Sequence, residues 1–558
     1  MIFISAWYEL ILHRMNKIMK KHIVIFLILI FPCLVFASED CDSGEESCTI
    51  TCDNAADDVD FIQAISDVDA GTTINVAAGT CDIEARINIT KSVNLIGAGK
   101  TSTTLVNAYA PSLSGGTLDA AKHMISIVLT PTNDSNCPTV RISGFDMNFG
   151  SSSYGIWYSN TVATTSESTT YDCTNVRIDN NDLDSESYVF QRNGLSHGVM
   201  DNNVISGNMA CGGSANLWSS YGYEYGTNSS FYFEDNTWNY ISSTTPLLWM
   251  TGSGAMSFVF RFNTINGPEG NVSPQWVEQH GSHVVQPGGF GAEVYENTFD
   301  LGANTRSVAF TTQRGGKWLV FNNDVTWDSP GGATMWVMEE HPDSEGLGEA
   351  SSLVNGQPQH ASDSYYWNNL KGGSLFGVVL YTQTGTATGG TSTTMTGTFS
   401  DICSTDCDIY GVYLTGGTGS GQFRRMDDLT TATLTVDTAW DTNPDATTTY
   451  RIEKDSDDAI AEDSEFWNED ASYDGTSGVG KGVLASRPAT CTEGTAYWAT
   501  DQGDWNSEGN DGVLYICGSS NWTDATTYEP YDYPHPLRGE TVSEPTAKGT
   551  TFIGCFPQ

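Results

Sequence analysis

Basic residues are scarce in this chain. Of its 558 residues, 24 are Lys or Arg and 68 are Asp or Glu, which gives a formal net charge of −44 at pH 7. Because phosphate binding needs a basic surface, this balance argues against nucleic acid as a partner. It also makes a polyanionic glycan an unfavourable ligand unless a cation bridges the two. The simplest interpretation of the charge is solubility in salty water.

Long hydrophobic runs are absent after the first 37 residues. Near the start, Lys20 and Lys21 precede an apolar run from 23 to 34, and Ala37 ends a small-residue cleavage site. This pattern is typical of a secretory signal peptide, and the run is short for a membrane span. We therefore expect a signal peptide over 1–37 and a secreted or cell-surface mature chain without a membrane span. Its removal takes away four basic residues and one acidic residue, so the mature charge becomes 20 minus 67, or −47.

Helix-forming segments are few. The chain has 57 Gly residues and is rich in Thr, Ser and Asn. One short helix is expected near 57–68, with Val59, Phe61, Ile62 and Ile65 on its apolar side. The rest of the sequence favours short β-strands separated by turn residues.

A five-residue word recurs through the middle of the chain. Its copies are EDNTW from Glu234, DNNDL from Asp179, DNNVI from Asp201, RFNTI from Arg261, YENTF from Tyr295 and FNNDV from Phe321. Aligning the copies puts Asn181, Asn203, Asn236, Asn263, Asn297 and Asn323 in register, at steps of 22 to 34 residues. A fixed word on a variable period indicates a solenoid whose insertions loop out at a corner.

The repeated word predicts the corner of a parallel β-helix. Equivalent residues of stacked coils would then lie about 4.8 Å apart. We expect each aligned asparagine to take left-handed backbone geometry at the bend. Its side-chain amide should bond the asparagines above and below it. The apolar residue two places later should begin the next buried strand.

A second alignment places two cysteines in neighbouring coils. CPTVRISGFDM from Cys137 matches CTNVRIDNNDL from Cys173 without a gap, and stacked residues at this spacing suit a disulfide. Phe145 takes the place of the asparagine, so the ladder should start one coil later. Thirteen cysteines less Cys33 leave twelve, an even number that favours disulfides in an exported chain. We predict Cys137–Cys173 and, by proximity, Cys52–Cys81, Cys403–Cys407 and Cys491–Cys517.

The segment TTINVAAGTCDIEARINITKSVNLIGAGKTSTTLV, from Thr72 to Val106, resembles the capping and first coils of pectin-lyase-like right-handed β-helix proteins. The later words resemble β-helix repeat proteins of secreted bacterial type. The resemblance covers roughly 53–375. It implies an all-β fold, a right-handed parallel β-helix solenoid with an N-terminal cap helix. It does not imply an activity, because one fold carries many functions.

Changes in composition and pattern along the sequence divide the chain into segments. After the signal peptide, the β-helix is expected over 38–375. The segment 384–453 resembles a small all-β module found inserted in secreted and phage-associated surface proteins. EFWNED near Phe466 should resume the scaffold, and 454–558, rich in aromatic residues and Gly, should form its end and cap. A cap is needed because the last coil of a solenoid exposes an apolar cross-section.

Four residues are candidates for catalysis. In WVEQHGSHVV, Glu278 and His280 would share one face of a strand and could form a proton-transfer pair or part of a metal site. The alternative is a hydrogen-bonded surface loop. Arg314 is a candidate because β-helix lyases use a basic residue beside a sugar carboxylate, often with calcium. The alternative is that Arg314 forms a local ion pair beside a Gly-Gly corner. Glu339 lies in MEEHPDSE, which is either a calcium site or a solvated acidic loop.

Further residues are candidates for binding the substrate. Lys317 and His283 lie beside the catalytic candidates in sequence, and Trp218 and Tyr223 lie in the aromatic loop LWSSYGYEYG. Aromatic rings stack on the apolar faces of sugars, although such a loop can equally fold over its own coil. The paired-aspartate and Gly-His-Gly signature of polygalacturonases is absent from the sequence, as is the Arg-Pro-x-x-Arg pattern of classical pectate lyases. The resemblance therefore supplies no catalytic residues directly.

These observations predict an exported β-helix protein that engages a polysaccharide or cell-surface glycan, as a lyase or hydrolase. The alternative is a non-catalytic surface or adhesion protein on the same scaffold. A phage tailspike-like glycan binder is a third reading, against which the signal peptide argues. Clustering of Glu278, His280, Arg314 and Glu339 in one groove would favour the enzyme. Scattering of these residues beside an aromatic stripe would favour binding. Calcium is the one cofactor that the pattern suggests.

Overall fold

The computed structural model describes residues 41–52, 57–109, 120–129, 138–150, 154–160, 175–193, 197–212, 224–228, 230–239, 248–250, 257–267, 275–279, 291–300, 302, 308–326, 333–338, 353–354, 357–358, 361–378, 383–400, 402–403, 407, 410–454, 462–506 and 509–539. The expected signal peptide over 1–37 lies outside these residues.

Strands dominate the structure, so the all-β prediction is confirmed, and the long parallel sheets fit a β-helix. A parallel sheet of twelve strands forms the first ladder. In stacking order its strands are β1 (Ser47–Ile50), β2 (Thr73–Val76), β5 (Val93–Gly97), β8 (Thr139–Ser143), β11 (Asn175–Asp179), β13 (His197–Asp201), β15 (Phe231–Glu234), β18 (Ser257–Arg261), β21 (Gly291–Tyr295), β24 (Lys317–Phe321), β29 (Ser364–Trp367) and β39 (Phe466–Asn468).

An 18-stranded sheet contains two more parallel ladders, joined because β12 (Asp182–Asn193) and β14 (Val204–Gly212) run through both. The second ladder adds β3 (Gly79–Ile83), β6 (Thr103–Asn107), β9 (Asp146–Asn148), β16 (Thr237–Asn239), β19 (Thr264–Asn266), β22 (Thr298–Asp300), β25 (Asp324–Thr326) and β30 (Leu370–Lys371). The third ladder adds β4 (Ile87–Ile89), β7 (His123–Leu129), β10 (Tyr154–Asn160), β17 (Leu248–Met250), β20 (Gln275–Gln279), β23 (Val308–Arg314) and β26 (Ala333–Met338). From β2 onward the chain visits the first, second and third ladders in that order, coil after coil.

Short elements complete this part of the chain. β31 (Ser374–Leu375) pairs antiparallel with β30, and β27 (Leu353–Val354) pairs antiparallel with β28 (Gln357–Pro358). Single 3₁₀ turns span Ala120–Lys122, Leu484–Ser486 and Pro536–Arg538. No helix within the described ranges has the length and apolar character needed to cross a membrane.

The predicted asparagine ladder is confirmed, and it extends to a seventh member, Asn369. Asn263 is representative: its Nδ2 donates to Asn297 Oδ1 at 3.1 Å, and its own Oδ1 accepts from Asn236 Nδ2 at 3.1 Å. The ladder also begins where expected, because the Phe145 N–H donates to Asn181 Oδ1 at 3.0 Å. The apolar residues two places after the asparagines are fully buried: Leu183, Ile205, Trp238, Ile265, Phe299 and Val325.

The prediction that these asparagines adopt left-handed geometry is wrong. Positive φ angles occur instead at the preceding residue of each coil, for example 55° at Asp235, 54° at Phe262 and 56° at Glu296. The bend therefore falls one residue earlier than expected. The ladder asparagines keep ordinary backbone geometry and are retained for their amides.

The single α-helix in the described chain, α1 (Asp57–Asp67), matches the expected position. Its buried face differs from the prediction, because Val59 and Ile62 are exposed while Phe61 and Ile65 are buried. The side chain of Asp57 accepts a hydrogen bond from the Asp82 backbone N–H at 2.8 Å. The helix is thereby tied to β3 at its N-terminal end, where the helix dipole favours a carboxylate.

A separate antiparallel sheet of seven strands occupies 383–454, with its own buried core. Its strands are β32 (Gln383–Thr386), β33 (Gly389–Gly390), β34 (Thr394–Thr396), β35 (Tyr410–Gly416), β36 (Phe423–Leu429), β37 (Thr433–Val436) and β38 (Thr449–Lys454). The first and last of these strands pair with each other, so the chain enters and leaves this sheet at adjacent positions. Afterwards β39 pairs in parallel with β29, so the scaffold resumes at Phe466 as predicted.

Four cysteine pairs are bonded among the described residues. Three of them were predicted: Cys52–Cys81, Cys403–Cys407 and Cys491–Cys517. The fourth, Cys41–Cys48, was not. Cys137 and Cys173 lie outside the described residues, although the strands that follow them pair in the predicted register, from Thr139↔Asn175 onward.

The C-terminal segment covers the outer face of the first ladder. This segment contains a four-stranded sheet of β40 (Val479–Gly482), β41 (Ala496–Ala499), β42 (Val513–Gly518) and β43 (Asn521–Tyr528). We name residues 496–539 the C-terminal strap. Its buried apolar residues Trp498, Trp505, Leu514 and Tyr528 form one cluster with Tyr232, Tyr295, Phe321 and Trp367 of the ladder. A C-terminal cap was expected, and this expectation stays a prediction; the described strap residues lie along the first ladder, where they cover its outer aromatic side chains.

Charged groups hold the strap in place. Arg261, fully buried, donates from Nε to Glu234 Oε2 at 2.7 Å and from Nη1 to the Tyr531 carbonyl at 2.6 Å. Arg538 pairs with Glu234 Oε1 at 2.8 Å, and the His535 backbone N–H donates to the same oxygen at 2.9 Å. Burial is the largest influence and would raise the pKa of Glu234, but Arg261, His535 and Arg538 together outweigh it, so the pKa is lowered. The carboxylate therefore stays charged inside the interface.

Candidate functional site

The repeated word builds an exposed polar surface on the second ladder. The residues directly after the ladder asparagines form one row across four neighbouring strands: Thr237, Thr264, Thr298 and Asp324. The residues two places further on form a second row: Asn239, Asn266, Asp300 and Thr326. We name these eight residues the polar array.

The array is regular because the ladder is regular. Neighbouring strands repeat about every 4.8 Å, and the two rows lie about 6.6 Å apart along each strand. The residue between them is buried in every strand, which directs the array outward. Thr264, Asn266, Thr298 and Asp300 are exposed. Asn266 Nδ2 donates to Asn239 Oδ1 at 2.8 Å, so part of the array is already ordered by its own hydrogen bonds.

Carboxylates lie in the same two rows one strand beyond β14, which places Val204 and Ser206 between them and the array. Asp182 pairs in register with Asp146 of the preceding coil, and Asp184 pairs with Asn148. The pKa of Asp182 is raised, chiefly by burial and then by the neighbouring Asp146 charge. Hydroxyl, amide and carboxylate groups therefore extend along several coils, which is a chemistry suited to hydrogen-bonding the hydroxyls of a long polar ligand.

The segments of the catalytic candidates are neighbours in the third ladder, as predicted. β20, β23 and β26 lie side by side, with Gln279 opposite Gln313 and Arg314 opposite Met338. In the sequence His280 and Glu339 follow directly after β20 and β26, but both lie outside the described residues, as does the Arg314 side chain. The backbone therefore brings three of the strand ends together, while the arrangement of the catalytic side chains stays a prediction.

Glu278 is described, and it is only 1 % exposed. In the third ladder its register partners on the two neighbouring strands are Trp249 and Thr312. The column formed by these successive register partners also contains Trp157, Gln191 and Trp336. Three tryptophans thus occur in one column, each three strands from the next. Burial of Glu278 is unfavourable for an acid or base that must meet a solvent-borne polymer.

The substrate-binding candidates do not converge within the described part of the chain. Lys317 lies on the first ladder, where its Nζ pairs with Asp363 Oδ2 at 2.5 Å, and not beside Glu278. Trp218, Tyr223 and His283 lie outside the described residues. Tyr225 of the same aromatic loop packs against Tyr528 of the strap, with ring centroids 5.7 Å apart. That contact follows the alternative in which the loop folds over its own scaffold.

No metal centre is evident in the described ranges, where no group of three or more His, Cys, Asp and Glu side chains is arranged to hold an ion. The acidic residues of 339–345, suggested as calcium ligands, lie outside those ranges.

Comparison with known proteins found no match. No family model matches the chain, and no curated protein or solved structure matches it either. The pectin-lyase-like resemblance therefore stays an expectation drawn from the motifs.

Sequence reasoning missed the polar array, although its signal was present. The second and fourth letters of the words NTWN, NTIN, NTFD and NDVT are the two exposed rows. Only the asparagine and the apolar letter were assigned a role. The alternation of polar and buried positions after each asparagine is the pattern that would have identified the surface.

Proposed function

We propose that this protein is an exported right-handed parallel β-helix that binds an extended polysaccharide along the polar array. One observation carries the proposal: Thr, Asn and Asp side chains stand in two outward-facing rows on four stacked strands, and six of the eight are exposed. A polymer lying along the stacking axis would meet the same set of donors and acceptors at each coil. Repetition of weak contacts on a rigid surface gives affinity without a deep pocket.

Charge selects the class of polysaccharide. Asp300 and Asp324 sit within the array, and the chain as a whole carries a formal charge of −44. A neutral glycan suits this surface, whereas a uronate polymer would be repelled unless a divalent cation bridges the carboxylates. Binding of an anionic glycan is therefore expected only with calcium, and a chelator should abolish it.

The test uses the mature protein and a panel of insoluble and soluble polysaccharides. Retention is compared between the wild type and a triple variant, Thr264→Ala, Asn266→Ala and Thr298→Ala. Thr431→Ala, an exposed threonine of the seven-stranded sheet, is the matched control. We expect the triple variant to lose retention at an unchanged melting temperature while the control keeps it. Equal retention by all three proteins would remove the array from the binding surface.

Catalysis on the same polymer is a second candidate, favoured by the adjacency of β20, β23 and β26. A carboxylate and a histidine beside an arginine could hold a uronate and move a proton. The discriminating assay follows reducing ends and unsaturated-uronate absorbance during glycan incubation. His280→Ala and Arg314→Ala should abolish turnover without loss of stability if this reading holds. Wild-type protein that binds a glycan and never cleaves it assigns the protein to the adhesion class.

A further inference from the structure

Lys481, Asn368 and Glu469 meet where the parallel scaffold joins the C-terminal sheet. Lys481 Nζ lies 2.5 Å from Asn368 Oδ1 and 3.2 Å from Glu469 Oε1. Glu469 Oε2 in turn accepts the Asn368 backbone N–H at 2.6 Å. Asn368 follows β29, Glu469 follows β39 and Lys481 belongs to β40. Asn368 thus brings an amide to a carboxylate and an amine that are 101 and 113 residues away in sequence.

Each of the three side chains is held by its surroundings. Asn368 has a φ of 51°, and its Nδ2 donates to Asn322 Oδ1 at 2.7 Å, which leaves the carbonyl side of the amide toward Lys481. The Glu469 side chain is 11 % exposed. Lys481 lies opposite Trp498, a buried ring that packs against Trp367 at 5.1 Å. The Lys481 side chain is 36 % exposed.

We propose that Lys481 and Asn368 form an intramolecular isopeptide bond, with Glu469 as the proton-transferring group. Glu469 takes a proton from the Lys481 ammonium, and the neutral amine attacks Cγ of Asn368. A bond forms between Nζ and Cγ, the protonated Glu469 gives its proton to Nδ2, and the Cγ–Nδ2 bond breaks to release ammonia. The regained Glu469 carboxylate then takes the second proton from Nζ and passes it to the ammonia, which leaves as ammonium. The product is one amide in place of another, so no oxidant, reductant or cofactor is required. Holding the reacting groups in contact is what makes such a slow step feasible within a protein.

The pair Lys317 and Asp363 provides an internal contrast. Its Nζ and Oδ2 also lie 2.5 Å apart, but the side chains are 42 % and 54 % exposed. Within the described contacts no second carboxylate reaches Lys317 to accept its proton. We therefore expect this pair to remain an ordinary surface ion pair, and it serves as the control.

The cross-link would fasten two parts of the chain that are 113 residues apart. One end is in the last coil before the seven-stranded sheet, and the other is at the entry to the C-terminal strap. An exported protein would gain resistance to unfolding from its C-terminal side. The proposed cross-link is independent of glycan binding, since it depends only on the positions of these three side chains.

The experiment is mass spectrometry of the reduced, denatured mature protein, followed by peptide mapping. We expect the wild type to be lighter than its sequence by one ammonia, with the Asn368 and Lys481 peptides joined. Glu469→Gln and Lys481→Arg should both restore the full mass, and Lys317→Arg should keep the deficit. Asn368→Asp retains the carbonyl carbon and should lose water in place of ammonia.

Two results would overturn the proposal. One is a wild-type protein of full mass whose Lys481 peptide is recovered free. The other is a deficit that persists in Lys481→Arg, which would place the modification elsewhere. If Lys481→Arg fails to fold, the wild-type mass and the Glu469→Gln peptide map decide the question on their own.

Discussion

Each ladder asparagine after Asn181 uses its side-chain oxygen twice. Asn263 Oδ1 accepts both the backbone N–H of Asn236, at 3.0 Å, and its Nδ2, at 3.1 Å. Its own Nδ2 donates to the Phe233 and Arg261 carbonyls, at 2.9 Å each. One buried amide thus satisfies backbone groups of its own coil and of the coil before it. Glutamine is too long for this role, and aspartate lacks the donors.

Replacing Asn263 with Ala should therefore be costly. The Asn236 N–H and two carbonyls would be left buried without a partner, which costs about 1–3 kcal/mol in free energy of unfolding. Asn266→Ala is the matched control, because Asn266 is exposed and makes one hydrogen bond to its neighbour in the array. We expect that control to change stability by less than about 0.5 kcal/mol. Urea unfolding of both variants measures the difference, and equal midpoints would contradict the role assigned to the ladder.

The left-handed position explains why sequence reasoning placed the bend one residue late. Left-handed residues include Asn202, Asp235, Phe262 and Glu296, so this position tolerates several side chains. The next position is asparagine in each of these coils. The constant asparagine of the repeat indicated the hydrogen-bonded ladder. The bend itself is not marked by a constant residue type. Phe262 takes the same geometry as its counterparts in the other coils, and its ring stacks on Tyr533 of the strap, with centroids 3.8 Å apart.

At the scale of elements, the register of the parallel ladders could be predicted and the strap could not. The ladders repeat, so alignment of the words recovers which residues stack. The strap makes contacts such as the hydrogen bond from Arg177 to the Arg538 carbonyl, 361 residues away in sequence. The sequence repeat does not predict such contacts. The candidate site divides in the same way: backbone adjacency of β20, β23 and β26 followed from coil order. Burial of Glu278 and the pairing of Lys317 with Asp363 depend on packing that the words do not encode.

Among single residues, Arg261 should contribute most to the stability of the contact between the strap and the first ladder. Arg261→Met removes the cation from a fully buried contact with Glu234 and releases the Tyr531 and Asp532 carbonyls. Loss of one partner of a buried ion pair typically costs about 3–5 kcal/mol. Arg424→Met is the control, since Arg424 pairs with the exposed Asp441 on the seven-stranded sheet and should cost about 1 kcal/mol or less. Protease digestion of the C-terminal segment, together with thermal unfolding, reads the effect; comparable losses for the two variants would count against it.

His535 should make the strap sensitive to acid. Burial lowers the pKa of His535 to about 3, with Arg261 and Arg538 adding to the effect, and its neutral Nδ1 accepts the Leu537 N–H at 3.1 Å. A released strap would regain an ordinary pKa near 6.5 and bind a proton. The stabilising contribution of His535 is therefore complete above pH 6.5 and is lost progressively as the pH falls toward 3. Asp201 acts in the opposite direction, because burial raises its pKa.

The measurement compares urea midpoints at pH 6.5 and pH 5, an interval in which ordinary carboxylates change little. The wild type should lose stability across it, followed by the fluorescence of the strap tryptophans. His535→Gln retains a side-chain acceptor without the titration and should flatten the dependence. An identical slope in both proteins would show that other groups control the acid response.

At the scale of the whole molecule, several of the scarce cations are neutralised by ion pairs within the fold. Arg141, Arg177, Arg261 and Arg538 all pair with carboxylates on the outer face of the first ladder. Because these cations are already neutralised locally, the excess of acidic residues sets the field that a ligand meets. Such a field fits the proposed preference for neutral or cation-bridged polysaccharides.

The seven-stranded sheet should be removable without loss of the scaffold. Gln383 and Ile452 are register partners, so the two ends of the segment lie at the separation of paired strands, about 5 Å. Its core residues, among them Met395, Val412 and Leu434, form a cluster separate from those of the ladders. Deleting 383–454 and joining the flanks through a short Gly-Ser linker should therefore preserve the circular dichroism of the parent and its glycan retention. The excised segment should fold alone and unfold in one cooperative transition. A deletion variant that aggregates, alongside an isolated segment that stays unfolded, would mean that scaffold and insertion share a core.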